Sequence, residues 1–170
     1  AQIGPFIGEW IKLIGGDWNI RRNTVAQLPQ DGAMAVLFTD PERLTEELAG
    51  CEEFVAIAAA NGPQNTVISG KTSFVEQLVQ RFQEMGVDSQ PLSVSHAFHS
   101  PLMDPMLDEF ERIAGKFEFA RPRIPIVSNL TGQLFTDVPP DASYWRSHVR
   151  NTVRFADGMR CLSDQGVDAI

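Results

Sequence analysis

Between Asp31 and Ser95 the chain alternates short apolar runs with amphipathic stretches, each closed by its own stop signal. DGAMAVLFTD is a turn followed by an apolar run and reads as a strand. DPERLTEELAG reads as a helix. Asp40 can cap it, Pro41 suits its first position, Gly50 ends it, and Leu44 and Leu48 form its inner stripe. EFVAIAAANG is a second strand running into the turn signal Asn61-Gly62-Pro63, and NTVISG is a third, so the pair forms a hairpin. TSFVEQLVQRFQEMG is a second helix. It has Ser73 and Glu76 placed for a capping box, Gly86 at its end, and Phe74, Leu78, Phe82 and Met85 along one face. SQPLSVS is a fourth strand. The order β-α-β-β-α-β over residues 32–95 is the split βαβ, or ferredoxin-like, arrangement, with two helices on one face of a four-stranded antiparallel sheet. Such a fold names no function by itself.

The rhythm then changes. LMDPMLDEFERIAGKFEF predicts a helix with Met106, Leu107, Phe110 and Ile113 inward. RIPIVSNLTG predicts a strand that alternates Ile124, Ile126 and Ser128 before a turn at Thr131-Gly132, and SYWRSHVRNTVRFADGMRCLSDQG one or two helices. VDAI, at the end, reads as the start of an apolar strand and suggests a piece of something larger.

A chain of 170 residues suffices for one domain or two small subdomains, and 43% hydrophobic with 21% charged residues is a globular composition. No apolar run reaches the roughly 18 residues of a membrane helix, and the first ten residues do not read as a signal peptide. Two cysteines without metal-ligand spacing, Cys51 and Cys161, read as small buried hydrophobes in a reduced, cytoplasmic setting. A net charge of −8 argues against nucleic-acid binding. Six arginines and no lysine fall after residue 120, so Arg121, Arg123, Arg146, Arg150, Arg154 and Arg160 either greet an acidic ligand or partner or are simply solvated.

Chemistry concentrates in SVSHAFHSPLMDPM, where two of the three histidines, His96 and His99, flank Phe98. SGKTS ends like a phosphate-binding loop, but that pattern needs a glycine at Asn65, and a β-branched strand fills the gap. His96, His99 and Asp104 lack a shared face and a fourth ligand, so no metal site is expected.

VSHAFHSPLMDPML, PRIPIVSNLTG, YWRSHVRNTVRFADGM and AANGPQNTVISG, in this order of interest, together resemble the malonyl-type acyltransferase domain of modular type I polyketide synthases. The resemblance covers residues 28–170. It implies a ferredoxin-like subdomain inserted in an α/β-hydrolase-like acyltransferase core, with residues 1–31 a remnant of the nucleophile-elbow region, 32–95 the ferredoxin-like subdomain and 96–170 the C-terminal part of the core. The implied reaction takes malonyl from malonyl-CoA onto a serine in a Gly-His-Ser-x-Gly elbow. The acyl group then passes to the phosphopantetheine thiol of an acyl carrier protein, with no bound cofactor. Implied partners are that carrier protein, neighbouring synthase domains and the coenzyme A thioester, with neither nucleic acid nor membrane.

The same resemblance makes His99 the general base that activates the serine, since a hydroxyl is a poor nucleophile at neutral pH and an imidazole can take and return its proton. It makes His96 a pocket wall and Phe98 a steric gate, whose ring would fill the space of an α-methyl group. Asn129 and His148 become supports of the catalytic imidazole through the backbone of their segments, and Tyr144 and Trp145 packing residues. Arg22, or less favourably Arg21, would pair the malonyl carboxylate. The base should face a cavity shaped for a short dicarboxylic thioester. Ordinary alternatives stand beside each role: a loop histidine bonded to backbone for His99, core packing for Phe98, and a helix-surface histidine for His148.

One part of the pattern departs. No Gly-x-Ser-x-Gly exists in the chain; GPFIGEW places Pro5 and Phe6 where the elbow's histidine and serine belong. The start belongs to a fragment, the domain is degenerate, or the match at GPFIGEW is accidental. An alternative function follows, a non-catalytic module docking a carrier protein or neighbouring domain.

Overall fold

The computed structural model of the chain describes residues 28–135 and 139–167. Among the described residues the first element, β1 (Gly32–Leu37), is a central strand. It leads to α1 (Pro41–Glu47), where Asp40 Oδ1 accepts the Arg43 N–H at 2.8 Å, the cap expected from the sequence. β2 (Val55–Gly62) and β3 (Asn65–Lys71) form the hairpin, α2 (Thr72–Glu84) follows, and β4 (Ser89–Leu92) returns beside β1. The sheet order is β2-β3-β1-β4, antiparallel throughout, with Ala35 opposite Ile68 on one side and Pro91 on the other. Pro91 lacks an N–H, and the edge strand is where its absence costs no ladder bond.

The two faces of the sheet have different occupants. Ala35, Leu37, Val55 and Ile68 pack against Leu44 and Leu48 of α1 and Val75, Leu78 and Phe82 of α2. Phe82 is fully buried, and burial of a ring this size stabilises by about 1.5–3 kcal/mol. The opposite face, Met34, Ala58, Ala59 and Val67, is covered by Val153 and Phe98 from the C-terminal half. Val153 also occupies the outer edge of β2, giving its N–H to the Ala58 carbonyl and accepting from Ala60 N–H (2.8 and 2.9 Å), so that edge is not left open.

After β4 come a single 3-10 turn (Pro101–Met103), α3 (Asp104–Ala114), α4 (Ala142–Arg150) and α5 (Phe155–Asp164). The four inward residues expected of α3 are all buried: Met106, Leu107, Phe110 and Ile113. Three of them join Leu28, Met103 and Val149 in a second core, with Phe98 and Trp145 against it. Phe98 therefore touches both this core and the sheet.

Three local expectations fail. Ser73 and Glu76 do not cap α2, which starts at Thr72 with Lys71 in the cap position. Thr72 gives both its N–H and its hydroxyl to the Asp31 carbonyl (2.8 and 2.7 Å), so a tie to β1 replaces the local box. Met85 is 41% exposed because it lies past the last turn, where Gly86 takes a positive φ, and at the helix start Val75 is buried with Leu78 and Phe82 while Phe74 is only partly so. Residues 124–128 are not a strand. Pro122 and Pro125 donate nothing, and the segment forms only an isolated bridge, Val127 to Leu134, closed by the turn in which Gly132 N–H bonds the Ser128 carbonyl. Ile124 is consequently 76% exposed. Of the strand expected at VDAI, Val167 is described and lies in no strand, and residues 168–170 fall outside the described residues.

Candidate functional site

The loop after β4 is set onto the sheet by a missing side chain. A Cβ at Gly32 would lie 2.7 Å from the Cβ of Ala97, so only glycine lets Ala97 rest there. Ser100 then locks the loop's far side, giving its hydroxyl to the Ala97 carbonyl at 2.6 Å and accepting the Leu102 N–H at 3.2 Å. Between these anchors His99 takes φ 58°, the only non-glycine residue with positive φ among the described residues. Such a conformation costs of order 1 kcal/mol and persists where its surroundings impose it.

Those surroundings enclose the imidazole, which is 2% exposed. Nδ1 lies 2.9 Å from the Asn151 carbonyl, so Nδ1 carries the hydrogen and Nε2 is left as the basic nitrogen. Burial, and then the adjacent His148, lowers the pKa from its ordinary value to about 4, although the carbonyls of Asn151 and His148 pull the other way. The His99 ring is neutral through the physiological range. His148 is neutral too, lowered by burial. Its ring meets His99 edge-on at 5.9 Å between centroids.

The acceptor for His99 comes from where α4 stops. Asp141 caps α4 by accepting the Tyr144 N–H at 2.8 Å. At the other end Asn151 leaves helical geometry, and Thr152 bonds the Ile57 carbonyl at 2.7 Å. That tie and the Val153 pairing press the turn of α4 against the sheet, with the Asn151 carbonyl held against the loop of His99.

His96 is half-buried. Its Nε2 accepts from the Gln30 amide at 3.2 Å, which places the hydrogen on Nδ1, a buried atom without a hydrogen-bond partner among the described residues. Phe98 sits 6.1 Å from His96 and packs into both cores. The sequence reading thus named His96, Phe98, His99 and His148, and the fold gathers them at one junction. Asn129 is not part of it: its carbonyl accepts the Arg154 N–H at 2.7 Å and its side chain is exposed, while Asn151 supplies the acceptor to His99. Arg22 lies outside the described residues, as do Arg21, Pro5 and Phe6.

Two surface grooves, of about 450 and 190 Å³, are lined by residues of α5 and the 127–133 turn and by none of these four. Neither groove is the cavity expected at His99.

Four of the six arginines that follow residue 120 are engaged within the chain rather than held out to a partner. Arg146 pairs with Asp108 and Glu111, Arg150 with Asp104, and Arg154 and Arg160 both with Asp157. The first two of these arginines join α4 to α3. SGKTS is likewise structural: a Cβ at Gly70 would stand 2.2 Å from the Phe54 carbonyl, so the glycine permits close strand contact rather than cradling phosphate.

Comparison with known proteins agrees with this architecture. The acyl transferase domain family matches residues 18–170. Polyketide synthase GfsA of Streptomyces halstedii is 43% identical over 141 residues, 82% of this chain and 2% of that protein. Mycoketide-CoA synthase of Mycobacterium tuberculosis is 44% identical over 146 residues, 86% of this chain and 3% of that one. Among solved structures, the acyltransferase domain from the second module of the salinomycin polyketide synthase superposes with a TM-score of 0.82 at 44% identity, covering 87% of this chain and 35% of that domain's chain. The malonyl CoA-acyl carrier protein transacylase of Clostridium perfringens gives 0.76 at 25% identity, covering 88% and 48%. The chain therefore spans a small part of its curated relatives and about a third of the first of these structures. On the extent of the family match and the shared fold, it belongs to the acyl transferase domain family.

Proposed function

We propose that this chain carries the base-bearing half of an acyl-transfer site of a polyketide synthase. That site moves malonyl from malonyl-CoA through a serine ester to the phosphopantetheine thiol of an acyl carrier protein. The observation that carries the reading is the orientation of His99: Nδ1–H on the Asn151 carbonyl, Nε2 unprotonated, and the ring shielded from water. An imidazole held this way takes a proton from a hydroxyl at Nε2 and returns it to the departing thiol, while the carbonyl at Nδ1 steadies the imidazolium formed between the two steps. Phe98 and the Nδ1–H of His96 supply an apolar wall and an unused donor beside it. Arg22 remains the proposed partner of the malonyl carboxylate.

The docking alternative draws its support from the arginines, and their intrachain ion pairs weaken it. Exposed pairs of this kind are worth about 0–1 kcal/mol and are screened by salt, so they orient helices more than they recruit partners.

A chimera tests the reading. Residues 28–167 replace the matching segment of a related polyketide-synthase acyltransferase domain that has the Gly-His-Ser-x-Gly elbow. Malonyl-CoA should then add malonyl to the elbow serine, read by intact-mass spectrometry, and the label should pass to a carrier protein. His99→Ala in the chimera should slow labelling by at least about 10³-fold. A folded chimera that stays unlabelled, or labels equally fast with alanine at 99, overturns the assignment.

A further inference from the structure

Three rings meet around one side chain that no step of acyl transfer requires. The His148 imidazole lies 5.9 Å from His99, 5.8 Å from Trp145 and 6.0 Å from Tyr144, centroid to centroid. Tyr144 is itself held, its hydroxyl 2.9 Å from the Oγ of buried Ser128 and its ring 4.8 Å from Phe135. Tyr144 and His148 are one turn apart on α4, so their spacing is set by the helix. Ser128, Tyr144, His148 and His99 therefore form a continuous line of contacts from the 128–133 turn to the loop after β4.

We propose that the His148 side chain is a positioning residue for His99. Its edge-on ring fixes the plane of the His99 imidazole so that Nδ1–H stays on the Asn151 carbonyl, and it closes that side of the base to water. This rests on the reading of His99 as a base, but it assigns a separate job. The Asn151 carbonyl selects which nitrogen carries hydrogen, whereas His148 stops the ring from turning off that acceptor. A backbone acceptor alone leaves rotation about the Cβ–Cγ bond of His99 soft, because such terminal torsions are broad. The aromatic edge narrows it. Tyr144 faces His148 from α4, His96 lies on the loop of His99, and Asp104 and Arg150, across from each other on α3 and α4, neutralise one another. Contact with His148 disfavours charge on His99, beside the larger effect of burial, while burial alone lowers His148.

The test is nitrogen-15 NMR of the imidazoles in the intact chain. Wild-type protein should show His99 as a single Nδ1–H tautomer with proton–proton contacts between the His99 and His148 rings. His148→Ala and His148→Gln should turn this into a mixture of tautomers and raise the His99 titration midpoint by about one pH unit. His148→Phe, which restores an aromatic edge, should keep the single tautomer. Unchanged tautomer and midpoint in the alanine or glutamine variant overturns the proposal and leaves the base assignment standing. A wild-type spectrum with the hydrogen on Nε2 sinks the base assignment instead. Should both truncations fail to fold, the wild-type ring contacts decide, and their absence overturns the proposal.

Discussion

Residues 32–92 and residues 96–167 solve the same problem, covering apolar surface, by opposite means. In the first, neighbours in sequence do most of the work: a cap, a hairpin and two helices close over one face of a sheet, and Phe82 ends fully buried. In the second, the decisive contacts join distant positions. His99 bonds Asn151, Thr152 reaches the Ile57 carbonyl and Val153 pairs with Ala59. Both regions leave large apolar side chains exposed, Phe38, Phe54 and Met85 in the first and Ile124, Ile126 and Phe155 in the second. A region built from local signals can hold itself. One built from long-range ties borrows its order from what it touches, and here it touches the free face of the first region's sheet. The strained φ of His99 belongs to the dependent region, where strain can be imposed from both sides.

The sharpest way to break this comparison is Phe82→Ala. Emptying that site should cost about 3–5 kcal/mol, read from urea unfolding. If the second region leans on the sheet, the NMR signals of Trp145 and His99 should be lost at the same denaturant concentration as those of β1 and β3. Two separate transitions, with the Trp145 signals indifferent to the substitution, would show the regions to be independent.

A second effect is smaller and falls on the other side of the junction. The His99 pKa is near 4 folded and 6.5 unfolded. Between those values the unfolded chain binds more protons, so stability rises with pH across the window. The contribution is complete above pH 6.5 and is lost as pH falls through about 4, on the order of 3 kcal/mol at most. His148 acts in the same direction. Asp141, Asp157 and Glu109, whose pKa values are lowered by their hydrogen bonds, release their contributions only in the carboxylate range below this. Hydrogen exchange at pH 7 and pH 5 should therefore show protection falling around residues 96–103 and 148–153 while β1 and β3 keep theirs. His99→Gln should flatten the pH dependence. An equal loss in both regions would mean that the junction does not titrate as its burial demands.

What could be read from the chain follows the same division. The ferredoxin-like order was legible because its signals are local: Asp40 before Pro41, Gly50 and Gly86 after their helices, alternation in the strands. The α3 face was legible for the same reason. The capping box at Ser73 was misread because Thr72 found a partner 41 positions away. Residues 124–128 alternate like a strand, yet alternation states only that two faces differ, not that a neighbour exists to pair with. At the site, residue types and a family likeness singled out His96, Phe98, His99 and His148, which lie near one another in the fold. Support of the imidazole through the backbone was expected from the segments of Asn129 and His148; the carbonyl at Nδ1 belongs to Asn151, in the second of these segments, and a backbone carbonyl leaves no mark on residue type. The one available sign was position: Asn151 follows α4, and the carbonyls of a helix's last turn need partners.

The smallest effect sharpens how the second region is held. Arg150 reaches Asp104 at 2.5 Å across α3 and α4, with the arginine side chain 27% and the aspartate 55% exposed. Solvent screens a pair this open, so a double-mutant cycle with Arg150→Ala and Asp104→Ala should give a coupling below about 1 kcal/mol, smaller still in high salt. The buried contacts of Met106, Leu107 and Phe110 with Val149 should outweigh it. A coupling well above that value would mean that charge, rather than buried hydrocarbon, sets the angle between α3 and α4. The carbonyl at Asn151 would then owe its place beside His99 to Arg150, one residue before it.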